Sequence, residues 1–155
     1  FLRGSTELLG RERTTLGEEA AMVGHYLAIM GARLGQRLRS RVEVPAALGG
    51  AELPPGLLLT LVENAVEHGI EPALAGGTVS VVAELDASGG TVRVRVRDDG
   101  LGLSQSWQEG VGLANCRQRL VHHFGDGARL EVLPLEPGTE AVLSWPAPLP
   151  IGGNA

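Results

Sequence analysis

Thr91-Val92-Arg93-Val94-Arg95-Val96-Arg97-Asp98-Asp99-Gly100-Leu101-Gly102 is the stretch on which the fold of this chain turns. Strand side chains alternate, so Val92, Val94 and Val96 point one way and Arg93, Arg95 and Arg97 the other. The strand runs directly into a Gly-x-Gly turn. Gly100 and Gly102 permit unusual torsions and a close approach of backbone to a ligand. At that junction the Asp98 carboxylate can accept a hydrogen bond from an exocyclic amine such as adenine's. A hairpin turn rich in Asp and Gly, with Asp99 as its turn residue, is the other reading of the same residues.

Upstream, Thr78 to Leu85 also reads as a strand, and Ser88-Gly89-Gly90 makes the pair a hairpin. Before it, a helix is predicted from about Gly56, with Leu58, Leu61, Val62 and Ala65 on its apolar face. Thr60, Asn64, Glu67 and His68 share the polar face, Gly69 is expected to end the helix, and Pro72 prevents resumption. Asn is a poor mid-helix residue because its amide competes for backbone groups. Its oxygen is a hard neutral ligand suited to magnesium, which commonly bridges protein oxygen and phosphates. An exposed polar helix position is the alternative. Pro45, Gly49-Gly50 and Pro54-Pro55 break regular structure after a short strand at 42–44. Leu16, Ala20, Val23, Leu27, Met30, Leu34 and Leu38 are spaced close to a heptad, predicting a helix of roughly 20 residues. Either a partner helix in a bundle or coiled coil covers that stripe, or the helix covers the sheet. Arg33, Arg37, Arg39 and Arg41 read as a solvated face.

Downstream, Gly110-Val111-Gly112 opens an amphipathic helix whose stripe is Leu113, Cys116, Arg117, Leu120, Val121 and Phe124. Glycines at a helix start expose amides and the positive end of the dipole, a site for phosphate. No Gly-Lys-Ser/Thr follows, so this is not a P-loop, and the third Gly of a dinucleotide fingerprint is missing. Arg117 and Arg119 could reach phosphates or be surface charges. Two more strands, Leu130 to Leu133 and Ala141 to Trp145, flank Pro137-Gly138, and residues 148–155 are expected to form a flexible tail. The order predicts a two-layer α/β sandwich, a mostly antiparallel sheet covered by helices on one face and preceded by an N-terminal helix.

The 155 residues suffice for one domain with a core, and aromatics at 3% leave Leu, Val and Ala to build it. A net charge of -5 argues against broad nucleic-acid binding, which needs a positive field. No apolar run approaches the ~20 residues of a membrane span. The single Cys116 excludes an internal disulfide and reads as a small core residue. None of His25, His68, His122 and His123 has zinc-ligand spacing. Phe1-Leu2-Arg3 is an unnatural start, so the chain is expected to be part of a longer protein.

Glu63-Asn64-Ala65 with His68-Gly69, Asp98-x-Gly-x-Gly, Gly110-x-Gly-Leu-x-Asn and Gly138-Thr139 resemble the four nucleotide-binding boxes of the Bergerat fold, in the GHKL superfamily. Within it, Pro54-Pro55, "VENAVEHGI" and "GVGLANCRQRL" resemble the LytS-type sensor histidine kinases. The resemblance runs from about Leu16 to Pro146. It implies ATP and magnesium as cofactors. Asn64 would ligate the magnesium, and Asp98 would bind the adenine amine with support from Thr139. Gly100, Gly102, Gly110 and Gly112 would shape the pocket and a short mobile lid at 103–109. His68, Leu113 and Arg117 complete the expected ATP-binding set. Residues 1–40 would be the end of a dimerisation and phosphoacceptor module, and 41–147 the catalytic domain. The implied partners are a response regulator and a second copy joined through the N-terminal helices. The implied setting is a cytoplasmic domain whose parent can be membrane-anchored.

The chain departs from the family at three places. Glu67 stands where Lys is frequent, and Leu59 and Thr60 replace Gln and Pro. The acceptor-His motif, His-Phe-Leu-Phe-Asn-like, is missing, so no catalytic residue is expected within the chain. The expected function is phosphoryl transfer from Mg-ATP to a His on an upstream helix. The alternatives are a GHKL ATPase, an anti-sigma-factor kinase and a non-catalytic nucleotide-sensing module. The ATPase branch carries a water-activating Glu four residues before its metal-binding Asn, where this chain has Thr60.

Overall fold

The strand predicted at Thr91–Asp98 has those bounds in the computed structural model, which describes residues 13–104 and 107–147. The expected tail at 148–155, positions 1–12 of the expected helical module and positions 105 and 106 of the expected lid lie outside them. In chain order the elements are β1 (Thr14–Thr15), α1 (Leu16–Leu34), β2 (Leu38–Glu43), β3 (Glu52–Leu53), α2 (Leu57–Asn64), β4 (Gly77–Leu85), β5 (Thr91–Asp98), α3 (Val111–Phe124), β6 (Arg129–Pro134) and β7 (Thr139–Pro146).

Five strands form one sheet in the order β2-β4-β5-β7-β6. Only β2 and β4 run parallel; every other neighbouring pair is antiparallel. The alternation of β5 is realised: Val92, Val94 and Val96 are buried under the helices, while Arg93, Arg95 and Arg97 lie on the open face. Across that face Arg95 pairs with Glu84 at 2.6 Å and Arg97 with Glu140 at 2.7 Å. The exposed Arg95–Glu84 pair contributes at most ~1 kcal/mol, whereas Glu140 is buried beneath Arg97. The buried face carries the fold, because each apolar side chain taken fully from water contributes about 1.5–3 kcal/mol. Val79, Val81, Leu143 and Trp145 extend it across the strands, and Leu61, Val62 and Leu120 meet it from the helices. Phe124, closing α3, stacks on Trp145 with ring centroids 5.7 Å apart. The two-layer sandwich predicted from the sequence is the fold observed.

The stripe on α1 finds its partners inside the chain. Leu16, Val23, Leu27 and Met30 are buried in the same core as α2 and the sheet. Within this chain the stripe packs against α2 and the edge strand β2. The helix also stops earlier than the spacing suggested. Gly35, at φ 61, ends it, and Leu38 opens β2 instead of closing a last turn. Arg37 is likewise not a free surface charge: its guanidinium donates to the Glu71 and Ala73 carbonyls at 2.7 and 3.0 Å.

The helix bearing Asn64 does not end at Gly69. Past Asn64 it widens into a π-helical segment, Ala65–Ile70, closed by Glu71 N–H on the Val66 carbonyl at 2.8 Å. Such wide turns are frequent at functional sites. Among the described residues no helix is long and apolar enough to cross a membrane.

Candidate functional site

The π-helical segment, the end of β5 and the loop leading to α3 enclose a cavity of about 460 Å³. Its wall is apolar where Leu61, Ala65, Val96, Leu113, Val132 and Ala141 face it. Asn64, His68, Asp98, Ser104 and Thr139 bring polar groups to the same space. An apolar cleft with a few convergent polar groups is the usual build of a small-molecule site. Of the residues singled out from the sequence, Asn64, His68, Asp98, Gly102, Gly110, Gly112, Leu113 and Thr139 line it.

Asp98 is the most constrained of these. It is 3% exposed, faces Thr139 across the β5–β7 register, and its Oδ1 accepts the Gly100 N–H at 3.0 Å. Burial is the main cause pushing its carboxyl up to about 6; the Gly100 bond opposes the rise and the charge of Asp99 adds to it. A buried carboxylate with one oxygen still short of donors suits a ligand that brings an N–H.

Three glycines make room for it. A side chain on Gly69 would stand 2.5 Å from Asp98 Oδ1, and one on Gly100 would stand 2.0 Å from the Gly69 carbonyl. That carbonyl accepts the Leu101 N–H at 2.9 Å. Gly138, at φ +105, would place a Cβ 1.8 Å from the Asp98 carbonyl. Gly100 therefore serves the site from behind the wall, where it locks the β5 turn onto the π-helical segment. Gly69 has the same origin: a close approach to Asp98 rather than a helix stop.

Gly110 and Gly112 are different. A Cβ at Gly110 would meet nothing within 4 Å, and one at Gly112 would only touch the Thr60 methyl at 3.6 Å. Gly110 caps α3 without a side-chain hydrogen bond, so the first amides of that helix are left to solvent or ligand.

Arg117 does not reach the cavity. Its guanidinium holds the Leu130 carbonyl of β6 and pairs with Glu109 at 2.5 Å. Expected in the ATP-binding set, Arg117 is turned by α3 toward β6 and lies outside the cavity lining. Arg119 is half-buried, and its charge acts on Glu19 and Cys116. Cys116 itself is buried, and burial pushes its thiol up, as befits an inert core residue.

Among the described residues no cluster of three His, Cys, Asp or Glu side chains could hold a metal ion. The Asn64 amide brings one hard oxygen to the cavity wall, a donor type that suits magnesium beside phosphates and water.

Sequence reasoning missed two residues. Trp107 lines the cavity from the loop before α3 and is 39% exposed. Glu19 is fully buried on α1 and caps the start of α2, with Oε2 accepting from Gly56 N–H and Oε1 from Leu58 N–H, both at 3.1 Å. The absence of any Ser, Thr, Asp or Asn in Pro54-Pro55-Gly56 was the available signal, since an uncapped helix start needs a partner from elsewhere.

The sequence profile of the family described as histidine kinase-, DNA gyrase B-, and HSP90-like ATPase matches residues 55–149. The sensor histidine kinase YpdA of Escherichia coli K12 is 34% identical over 157 residues, covering 94% of this chain and 27% of that protein. The sensor protein LytS of Staphylococcus haemolyticus is 30% identical over 150 residues, covering 90% of this chain and 26% of that protein. The chain thus spans about a quarter of the length of these curated relatives. Among solved structures, the nucleotide-free catalytic domain of histidine kinase ThkA superposes with a TM-score of 0.62 at 19% identity, covering 86% of this chain and 94% of that one. The mycobacterial sensor histidine kinase MprB gives 0.62 at 17%, covering 88% and 98%. At those identities the likeness is one of fold.

Proposed function

Because the chain belongs to the histidine kinase-, DNA gyrase B- and HSP90-like ATPase family, we propose that it is the ATP-binding catalytic part of a sensor histidine kinase. The observation that carries this reading is the meeting, in one cavity, of the buried Asp98 carboxylate, the Asn64 amide and the uncapped start of α3. In this reading Asp98 accepts the adenine amine, with Thr139 beside it, and Val96, Val132 and Ala141 supply the apolar slot for the ring. The phosphates extend toward the amides at Gly110 and Gly112, with Asn64 and His68 on the facing wall. Asn64 would hold magnesium, which when bound neutralises phosphate charge. The chain's own residues orient the nucleotide and exclude water. Positioning and charge neutralisation are the main requirements of phosphoryl transfer.

The acceptor His, in this proposal, lies on a segment outside this chain, and the phosphoryl group passes on to a response regulator. The solved kinase ThkA in complex with its response regulator TrrA is an example of such a pairing. Since α1 buries its stripe in the catalytic core, we place the catalytic unit from β1 onward rather than from residue 41. Pairing of two copies, in this proposal, falls to a segment outside that unit.

Thr60 favours the kinase over the ATPase reading. It stands where a water-activating carboxylate would be needed, and its side chain is engaged with Cys116. Calorimetry with ADP tests the binding half: magnesium should strengthen binding by the parent and not by Asn64→Ala. ATP should outcompete GTP, whose ring carries an acceptor oxygen in place of the amine. Labelled ATP tests the rest: label should appear only on an added acceptor-helix segment. Acid-labile label on this chain alone, or rapid phosphate release, would reject the kinase assignment.

A further inference from the structure

The helix that carries Asn64 is held at its start by another helix. Glu19 spends both carboxylate oxygens on the Gly56 and Leu58 amides of α2, and no side chain of the local turn bonds there. Burying a carboxylate completely is unfavourable unless its lone pairs are used and a favourable charge is near. Burial pushes the Glu19 carboxyl up from its ordinary value, and the bonds from the Gly56 and Leu58 amides and the charge of Arg119 on α3 oppose that rise. The same side of α1 is tied to the segment preceding α2 by further bonds. Thr14–Thr15 pairs with Glu52–Leu53, Leu16 N–H donates to the Ala51 carbonyl at 2.7 Å, and Gly17 N–H to that of Gly49 at 2.9 Å.

Asn64 lies six residues beyond Leu58, about 9 Å along a helix axis. An α-helix resists axial compression over that length, so the place where its first turn is fixed decides where Asn64 stands. Fixing the first turn on a side chain of α1 makes the position of Asn64 depend on α1. A local Ser or Asp cap would satisfy the same amides without that dependence.

We propose that Glu19 is a positioning residue for the nucleotide site: by bonding both amides it fixes α2 axially against α1 and so places the Asn64 carboxamide. The proposal rests on the reading that Asn64 serves the magnesium of a bound nucleotide. Glu19 does not touch Asn64, so its loss would move the carboxamide only through the backbone of α2. The distinguishing property is therefore the magnesium-dependent gain in ADP affinity, not ADP affinity as such.

ADP binding is measured by calorimetry in EDTA and in magnesium for the parent, Glu19→Ala, Glu19→Gln, Asn64→Ala and Thr15→Ala. Thr15→Ala removes the cap of α1, where the Thr15 hydroxyl accepts the Glu18 N–H at 3.2 Å, and serves as a control for lost stability alone. Glu19→Ala should reduce the magnesium gain severalfold while leaving affinity in EDTA nearly unchanged. Glu19→Gln, which keeps one acceptor, should fall between it and the parent, and Thr15→Ala should keep the full gain. A full gain in both Glu19 variants, or equal losses in EDTA and magnesium, overturns the proposal. If Glu19→Ala does not fold, Glu19→Gln decides by the same criterion. No magnesium gain in the parent, or a gain surviving Asn64→Ala, would instead reject the nucleotide-site reading beneath it.

Discussion

Lowering the pH from 7 to 5 should weaken adenine-nucleotide binding about tenfold through Asp98 alone. In the free protein burial holds this carboxyl up at about 6. The adenine amine donates, so it binds the ionised form. The fraction of free protein ready to bind is 1/(1 + 10^(pKa − pH)), about 0.9 at pH 7 and 0.09 at pH 5, a ratio of about ten or 1.4 kcal/mol. Nucleotide phosphates titrate in the same range, so the parent must be compared with Asp98→Asn, which has no proton to gain. Calorimetric ADP titrations at pH 5, 6, 7 and 8 give the affinity ratio of the two proteins, and phosphate titration cancels in it. That ratio should fall about tenfold between pH 7 and 5, and binding at pH 6 should release about half a proton per site. A ratio that stays flat would refute the assignment of Asp98 as the ionised acceptor. The stability of the empty protein must move the opposite way. A carboxyl raised from 3.8 to about 6 on folding stabilises the folded state fully below pH ~4, and that stabilisation is lost as pH rises through 6. Its upper bound is about 3 kcal/mol. The empty site is therefore least comfortable at neutral pH, where the ligand's N–H relieves it.

Gly138→Ala should destabilise the fold by about 3 kcal/mol or more, read as a large drop in thermal midpoint, because φ +105 and a 1.8 Å approach to the Asp98 carbonyl both oppose a side chain. Gly110→Ala should leave the midpoint within a few degrees, since its Cβ meets nothing, yet weaken ADP binding by crowding the α3 amides. Arg117→Ala should cost about 1 kcal/mol by releasing Glu109 and the Leu130 carbonyl, and leave ADP affinity within about twofold. A loss of binding larger than that would return Arg117 to the phosphate site. Trp107 should report nucleotide by a change in its fluorescence, absent in Trp107→Phe, since Trp145 is sealed in the core.

What the sequence discloses and what it withholds differ by the range of the interaction. The alternation of Val92, Val94 and Val96 against three arginines is a local property, and it specified both faces of the sheet. The Gly-rich turn after Asp98-Asp99 was equally legible, because a glycine pattern beside a carboxylate needs no distant partner to be noticed. The α1 stripe was legible as a stripe but not as to what covers it: apolar spacing states that a face must be buried and is silent on whether the cover belongs to the same chain. Gly69 misled for a related reason. A glycine near a helix end fits a stop, and only the placement of Asp98 and Gly100 across the fold makes it a close-approach position inside a π-helical segment. For Arg117 the sequence leaves phosphate contact and surface charge both open, because the rotation of α3 about its axis is set by Leu113, Cys116 and Leu120 in the core, and that rotation sends Arg117 to β6. Glu19 was the least visible, since on a surface helix a Glu beside another Glu reads as solvated charge. Its meaning comes from Gly56 and Leu58, more than thirty residues away in sequence and 3.1 Å away in space. Long-range polar contacts of this kind leave no periodic trace. A sequence reader can reach them only by asking which helix start has no cap of its own.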